Sequence, residues 1–594
     1  MDRNTTIGFV LIALVLVLWM WLNAPQPGTH QSQPADTAQT HRPAAQPAKI
    51  AEAPATPSSH VDSLGKFFST LSRGVEKEWN VETDRFTATL SSRGAGIRKW
   101  ELKNFKTWDH QPVNLINSDT RGEFNLLFYS ADGKLINTSG LFFTPVHALP
   151  QTTRLEGSDS LRIDMQMVVA PGSRIVKSLI FYAGKSSFDA EYRFEGMQNI
   201  IANFEYQVTW ENGLRYPERN SIDECNSANA SAYSGGELTE IDASSLDARA
   251  QQTISGRVTW IATRIKYFAV AIIPREKESS GAYLEGVRHP KPDQGAKEDY
   301  SIALKMPFLG KQVETDRFTV YLGPLEYSTI KSFDLGLDQV MSLGWAWIIR
   351  PISEYVIIPV FQFLHLFIPN YGIVLIVFAL LIKVVLHPLT KTSMRSMQKM
   401  QQLQPMMNEI REKYKEDPQK MQQQIMRLYK EYGVNPAGGC LPMLLQLPIL
   451  YALWMVFRST IELRQAPFVG WINDLSIPDI ITTLPFHIPL FGISEVSGLA
   501  ILVGITMFFQ QKMSVKDPRQ KMMIWMMPTM MTLLFNSFPS GLNLYYFFFN
   551  VLSIAQQAYV NKQHAQDPLR KVEEKKKSSG IIARLSKDMP KLKR

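Results

Sequence analysis

Five apolar runs crowd the last part of the chain: Tyr371 to Leu389, Leu441 to Ile461, Val496 to Gln511, Met522 to Phe538 and Leu542 to Val560. Runs this long and this poor in charge match a hydrocarbon core about 30 Å thick. A sixth run, Ile7 to Leu22, follows Arg3. Small residues at −3 and −1 mark a cleaved signal, but Ala24 has Leu22 at −3 and Pro25 at +1, so residues 1–24 read as an uncleaved anchor. Over 594 residues, 45% are hydrophobic and only 20% charged, yet mean hydropathy is −0.11. A polar part must therefore balance the apolar one. This composition excludes a disordered chain, a disulfide scaffold and an ordinary cytosolic enzyme.

The polar part runs from Val61 to Leu335, after a Pro/Ala/Gln-rich linker over 25–60. Short alternating runs such as Arg85 to Leu90, Phe124 to Tyr129 and Phe318 to Leu322 are separated by turn signals such as Asp132-Gly133. This pattern predicts an antiparallel β-sandwich. The heptapeptide VETDRFT occurs twice, at Val81 to Thr87 and Val313 to Thr319, but its flanks diverge at once, which argues against a duplication. Residues 336–370 mix Trp345, Trp347, Arg350 and Glu354 with Ile and Val, as expected of a helix lying in a membrane interface.

Charge sets the orientation. The loop Thr390 to Gly433, the short loop Lys512 to Lys521 and the tail 561–594 are rich in Lys and Arg, whereas Glu462 to Glu495 and Pro539 to Gly541 hold only Arg464. The positive-inside rule places both termini and the basic loops in the cytoplasm and the β domain outside. Cys225 and Cys440 then fall on opposite sides, too far apart to pair, and no tetrahedral metal set exists.

Three constellations stand out. Lys383 interrupts the first core span, and no Asp or Glu lies at its depth. A charge there either snorkels to the nearby cytoplasmic end or marks a functional site. Gln446, Gln510, Gln511, Asn550, Ser553, Gln556 and Gln557 gather on the cytoplasmic halves of the other spans. They are either glue between helices or the lining of a wet groove that also holds Lys383. In the Thr390–Gly433 loop, Met400, Leu403, Met407, Ile410 and Tyr414 face Met421, Ile425, Leu428 and Tyr432 at spacings of three and four. Asp417-Pro418 supplies a helix start and Gly433 a stop, so the loop predicts a helical hairpin. The methionines of Met522 to Met531 suit either lipid contact or an adaptable binding surface. No motif for covalent chemistry appears: Gly184-Lys185-Ser186 lacks the leading Gly of a P-loop, and no cofactor signature is present.

The segments Lys383 to Thr390, Asn435 to Pro442, Gln446-Leu447-Pro448, Glu462 to Phe468 and Phe538 to Tyr546 resemble the YidC/Oxa family of membrane protein insertases, in order, over about 371–560. The order of anchor, large outer domain and helical core resembles the family's Gram-negative form over the whole chain. The resemblance implies a multi-domain membrane protein. Its parts are an N-terminal anchor helix, a large periplasmic antiparallel β-sandwich and a five-helix insertase core in the cell inner membrane. It implies an inner-leaflet groove with one positive residue and with Tyr546 contacting substrate; Gln446, Pro448, Gln510, Gln511, Asn550 and Ser553 are the residues expected to line it. Lys383 stands where the family usually has Arg, and Ala379 where Thr is common. Lys keeps the charge but not the planar fork. The implied partners are nascent inner-membrane proteins, the Sec translocon, membrane lipids and the translating ribosome. The rivals are a secondary transporter, which calls for paired broken spans that are absent from the sequence, and a scaffold acting through the β domain.

From Lys562 to Arg594 the tail carries eleven Lys and Arg against four Asp and Glu. Contact with ribosomal RNA by such a tail releases counterions and weakens with salt. Detergent-solubilised chain lacking residues after Asn561 is expected to co-sediment less with ribosomes at low salt than the full chain. Unchanged sedimentation at low and moderate salt would move the contact to the Thr390–Gly433 hairpin.

Overall fold

The computed structural model describes residues 64–291, 295–435, 441–488, 493–514, 521–564 and 571. The expected anchor (1–24), the linker (25–60), Cys440 and all but a few residues of the tail lie outside the described residues.

The amino-terminal half is built from three sheets. A nine-stranded sheet has Val313–Pro324 at its centre, between Phe268–Pro274 and Ser187–Glu195, and Glu237–Ile241 at one edge. A six-stranded sheet faces it, and a five-stranded one packs alongside. Every pairing among these strands is antiparallel except Glu78–Glu82 with Thr152–Arg154. Inward-facing aromatics fill the interior. Phe86 stacks on Trp100 with centroids 3.9 Å apart, and Phe188 meets Phe124 edge-on at 5.8 Å. Burying such rings is the main stabilising term of the sandwich, at roughly 1.5–3 kcal/mol for each Phe-sized side chain.

The two VETDRFT copies fold differently. In the first, Thr83 turns the chain between Glu78–Glu82 and Phe86–Ser91, its hydroxyl accepting from the Arg85 and Phe86 N–H groups. In the second, all seven residues lie in one strand, Val313–Pro324. Flanking strands, not the heptapeptide, decide its conformation.

The expected interfacial helix over 336–370 is broken into pieces. A 3₁₀ turn (Leu337–Val340) is followed by a helical turn at Ile349–Ile352, a π-turn at Ser353–Ile357 and α1 (Ile358–His365). Pro351 and Pro359 each remove a backbone donor, which accounts for the irregular winding. Trp345 and Trp347 are exposed.

The α-helices that follow among the described residues are α2 (Tyr371–Gln402), α3 (Gln404–Lys413), α4 (Pro418–Glu431), α5 (Leu441–Ser459), α6 (Gly498–Ser514), α7 (Lys521–Phe535) and α8 (Ser540–His564). Helix α8 packs on α2, α5 and α6, while α7 packs on α6. Among the described residues, α2 is the helix long and apolar enough to cross a membrane by length and composition alone. The segment expected to be an outer loop after α5 contains a hairpin, Ile480–Ile488 with Ile493–Ser497.

The β domain meets the helices through ion pairs. Arg464 Nε lies 2.5 Å from Glu218, and both side chains are largely buried. Asp223 takes Lys266 at 2.6 Å and Arg458, at the end of α5, at 3.3 Å. Glu224, next to Asp223, is fully buried and accepts from the backbone N–H groups of Glu218 and Lys266. Burial pushes its pKa up from 4.5 to about 8. The folded chain thus holds a proton that the unfolded chain releases. The associated stability is complete below the unfolded value and is lost as pH rises through about 8. Glu224→Gln is therefore expected to flatten the decline in thermal midpoint between about pH 5 and about pH 9, followed by tryptophan fluorescence. An identical pH slope in the variant contradicts this.

Removing Arg464 strands the Glu218 carboxylate, a loss on the scale of about 3–5 kcal/mol for a broken buried pair. Arg464→Ala is expected to lower the thermal midpoint and to make the junction cleavable under limited proteolysis. An uncleaved, equally stable variant would show that the pair adds nothing.

Candidate functional site: a buried cation and its polar seam

Helix α2 starts at a capped end, where the Asn370 side chain accepts from the Ile373 N–H at 3.2 Å. Its apolar surface then continues to Lys383, which is only 8% exposed. The Lys383 ammonium sits 4.0 Å above the centroid of Phe549 on α8. Among the described residues it forms no salt bridge or hydrogen bond. A desolvated cation–π contact is worth about 2 kcal/mol. A Lys at a helix centre costs about 2.5–3.5 kcal/mol on the more lenient insertion scale and less toward the helix end, so the ring offsets much of the charge's cost.

One face of α8 continues from this point at spacings of three and four: Phe549, Asn550, Ser553, Gln556 and Gln557. Asn550 donates to Thr506 on α6 at 3.3 Å, and Ser553 donates to the Phe549 carbonyl at 2.7 Å. The Gln556 amide reaches His387 Nδ1 and the Thr390 hydroxyl on α2, both at 2.9 Å. Gln557 donates to Ser514 at 3.1 Å, and Gln398 donates to Asn561 at 2.7 Å. A polar seam thus runs from Lys383 along α2, α6 and α8 toward the hairpin end of the bundle.

The seam is not fully satisfied. Gln556 Oε1 and the Tyr545 hydroxyl are buried without a hydrogen-bond partner among the described residues, as is Gln446 Nε2 on α5, outside the seam. Each such group costs on the order of 1–3 kcal/mol. The Tyr545 ring is fully buried between Phe378 and Phe549, at centroid distances of 6.0 and 5.9 Å.

Not every residue singled out from the sequence joins this seam. Lys383, Asn550 and Ser553 come together. Gln510 is half-buried, and its side chain makes no hydrogen bond among the described residues. Gln511 turns to α7, where its amide meets the Met527 sulfur at 3.3 Å. Gln446 and Pro448 lie on α5, and Tyr546 packs toward α7, its ring 4.9 Å from Phe535. Met527 and Met531 pack with Val503 and Met507, while Met522 and Met526 are exposed. Phe549 and Thr506 are not singled out by the sequence, and His387 and Thr390 enter there only as part of the segment Lys383 to Thr390. The i, i+4 step from Tyr545 to Phe549 was the available signal for the ring.

In the hairpin, Leu403, Met407, Ile425, Leu428 and Tyr432 form a buried cluster with Met400, Ile410 and Met421 at its margin. Tyr414 is outside it, because α3 ends at Lys413 and Tyr414 leaves helical geometry. Tyr429 is buried there instead, its hydroxyl 3.4 Å from the Met407 sulfur. Helix α2 runs unbroken past Thr390 to Gln402, so the hairpin is an extension of the bundle and not a separate loop.

These features define a helical bundle with a buried cation in a polar seam, joined to a β domain. A family model described as "60Kd inner membrane protein" matches residues 363–567, and one described as "YidC periplasmic domain" matches residues 78–354. The chain is 40% identical over 586 residues to a membrane protein insertase YidC of Chloroherpeton thalassium, covering 96% of this chain and 97% of the relative. It is 42% identical over 566 residues to the corresponding protein of Chlorobaculum parvum, covering 94% of each. A crystal structure of an active YidC insertase with its first transmembrane domain resolved is 19% identical, with a TM-score of 0.35, over 82% of this chain and 93% of that one. The chain belongs to the YidC family of membrane protein insertases, which act without covalent catalysis. It is an inner-membrane protein with a periplasmic domain.

Replacing the ring beneath the ammonium tests the geometry. Phe549→Leu keeps the apolar volume and removes the π face, a change on the scale of about 0.5–2 kcal/mol. The variant is expected to show a lower thermal midpoint in detergent, whereas the same substitution in a Lys383→Met background should cost less. Equal losses in both backgrounds would exclude the cation–π contact.

Proposed function

We propose that the chain inserts and folds inner-membrane proteins through a hydrated groove open to the cytoplasm, alone or together with the Sec translocon. The polar outer segment of a nascent protein shelters beside Lys383, Asn550 and Ser553 while its apolar helix passes along the α5 and α7 side. There it meets Gln446, Pro448 and Tyr546, with Gln510 and Gln511 at the cytoplasmic mouth. Sheltering the segment lowers the cost of carrying polar backbone into hydrocarbon. The observation that carries this reading is the buried Lys383 ammonium with a ring, and among the described residues no acid, for a partner.

In this reading the chain is multi-pass with both termini in the cytoplasm, and the hairpin and basic tail receive the translating ribosome.

Complementation of a strain depleted of its own insertase tests the electrostatic role. Lys383→Arg is expected to support growth and Lys383→Glu to fail at equal expression. Full growth with Lys383→Glu would refute the role of the charge.

A further inference from the structure

A cavity of about 340 Å³ lies where the edge of the nine-stranded sheet meets the outer end of α5. That is within the size range of small-molecule sites. Its lining divides by chemistry. Tyr451 and Trp454 come from the last two turns of α5, Arg458 and Arg264 provide positive charge, and Glu240 and Asp242 come from the edge strand and the residue after it.

The four charged groups are unevenly satisfied. Arg264 is 2% exposed, and its Nη1 donates to the Val340 carbonyl and the Ser342 hydroxyl, but its Nε has no partner. Arg458 uses Nη2 for Asp223 and Ser227 and lays its guanidinium 5.3 Å from the Trp454 ring. Its Nε and Nη1 have no hydrogen-bond partner among the described residues. Glu240 and Asp242 are accessible and form no salt bridge among the described residues. The single side-chain hydrogen bond to either is from Asn229 to Glu240 at 3.2 Å. The cavity therefore offers two accessible carboxylates without a salt bridge among the described residues, the Glu240 one within the field of Arg264, and a guanidinium with donors to spare, above an aromatic wall.

We propose that this cavity binds the headgroup of a zwitterionic aminophospholipid from the outer leaflet, phosphatidylethanolamine in chemical class. The phosphate takes the free donors of Arg458, supported by the positive potential of Arg264. The primary ammonium, with three N–H donors, sits between Glu240 and Asp242. The acyl chains descend along Tyr451 and Trp454, residue types that favour headgroup depth. Two cations and two anions suit a zwitterion better than an anionic headgroup, which the carboxylates would repel. A choline headgroup lacks N–H donors and would leave both carboxylates unsatisfied. The inference rests on the membrane placement proposed above, but not on the groove.

Native mass spectrometry of the full chain in mild detergent tests it, with equimolar palmitoyl-oleoyl phosphatidylethanolamine, phosphatidylglycerol and phosphatidylcholine added. The ethanolamine lipid is expected to be retained about tenfold over either competitor, a difference of about 1.4 kcal/mol. Glu240→Gln/Asp242→Asn is expected to erase that preference and Asp242→Asn alone to reduce it. Neither change breaks a salt bridge, and the thermal midpoint verifies folding. Absence of a preference in the unmodified chain, as when another segment fills the cavity, would overturn the proposal. So would a preference unchanged in both variants. A failed Lys383 complementation test leaves this readout untouched, so the two ideas fall separately.

Discussion

The charge of Lys383 is the constraint around which the helical half is arranged. An ammonium only 8% exposed, on a helix otherwise apolar at that depth, needs compensation. Phe549 supplies a ring at 4.0 Å, and among the described residues no carboxylate pairs with the charge. A salt bridge would have neutralised the site. A cation–π contact leaves the charge able to attract a passing acidic or polar group at little reorganisation cost. The hydrogen bonds from Asn550 to Thr506 and from Gln556 to His387 and Thr390 then fix α8 against α6 and α2, holding the ring in place.

The outer half solves a different problem. A sandwich with a large aromatic interior is stable by burial, but its position over the bundle is set by charge. Arg464 with Glu218, and Asp223 between Lys266 and Arg458, join the sheets to the outer end of α5. Arg464 was visible in the sequence only as the lone basic residue of the outer loops. Its buried partner explains why a positive charge is tolerated on that side.

Much of this architecture was legible from pattern alone. Alternating runs announced the strands, and apolar runs with their charged flanks announced the core helices. The three-four spacing gave most of the hairpin cluster, from Leu403 to Tyr432. What pattern missed depends on tertiary partners. Phe549 reads as one more aromatic in a run of five, Tyr545 to Phe549, until α2 is laid beside α8. Tyr414 keeps the seam's spacing, but the helix has already ended at Lys413. Ile480 to Thr483 is rich in β-branched residues, but Pro485 and Pro489 disguised the hairpin as a loop. The two VETDRFT copies make the same point, since one turns a corner and the other spans a single strand.

The central claim is that a nascent helix travels along the α5 and α7 side while its polar segment meets Lys383. Site-specific photocrosslinking measures this most directly, with a photoreactive residue at Gln446, Tyr546 or, as a control, the exposed Leu135 of the β domain. A ribosome-stalled single-span nascent chain is the target. The account predicts crosslinks from Gln446 and Tyr546 that appear once the apolar segment has left the ribosome, with none from Leu135. Crosslinks from Leu135 alone, or none from either helix position at any chain length, would contradict it.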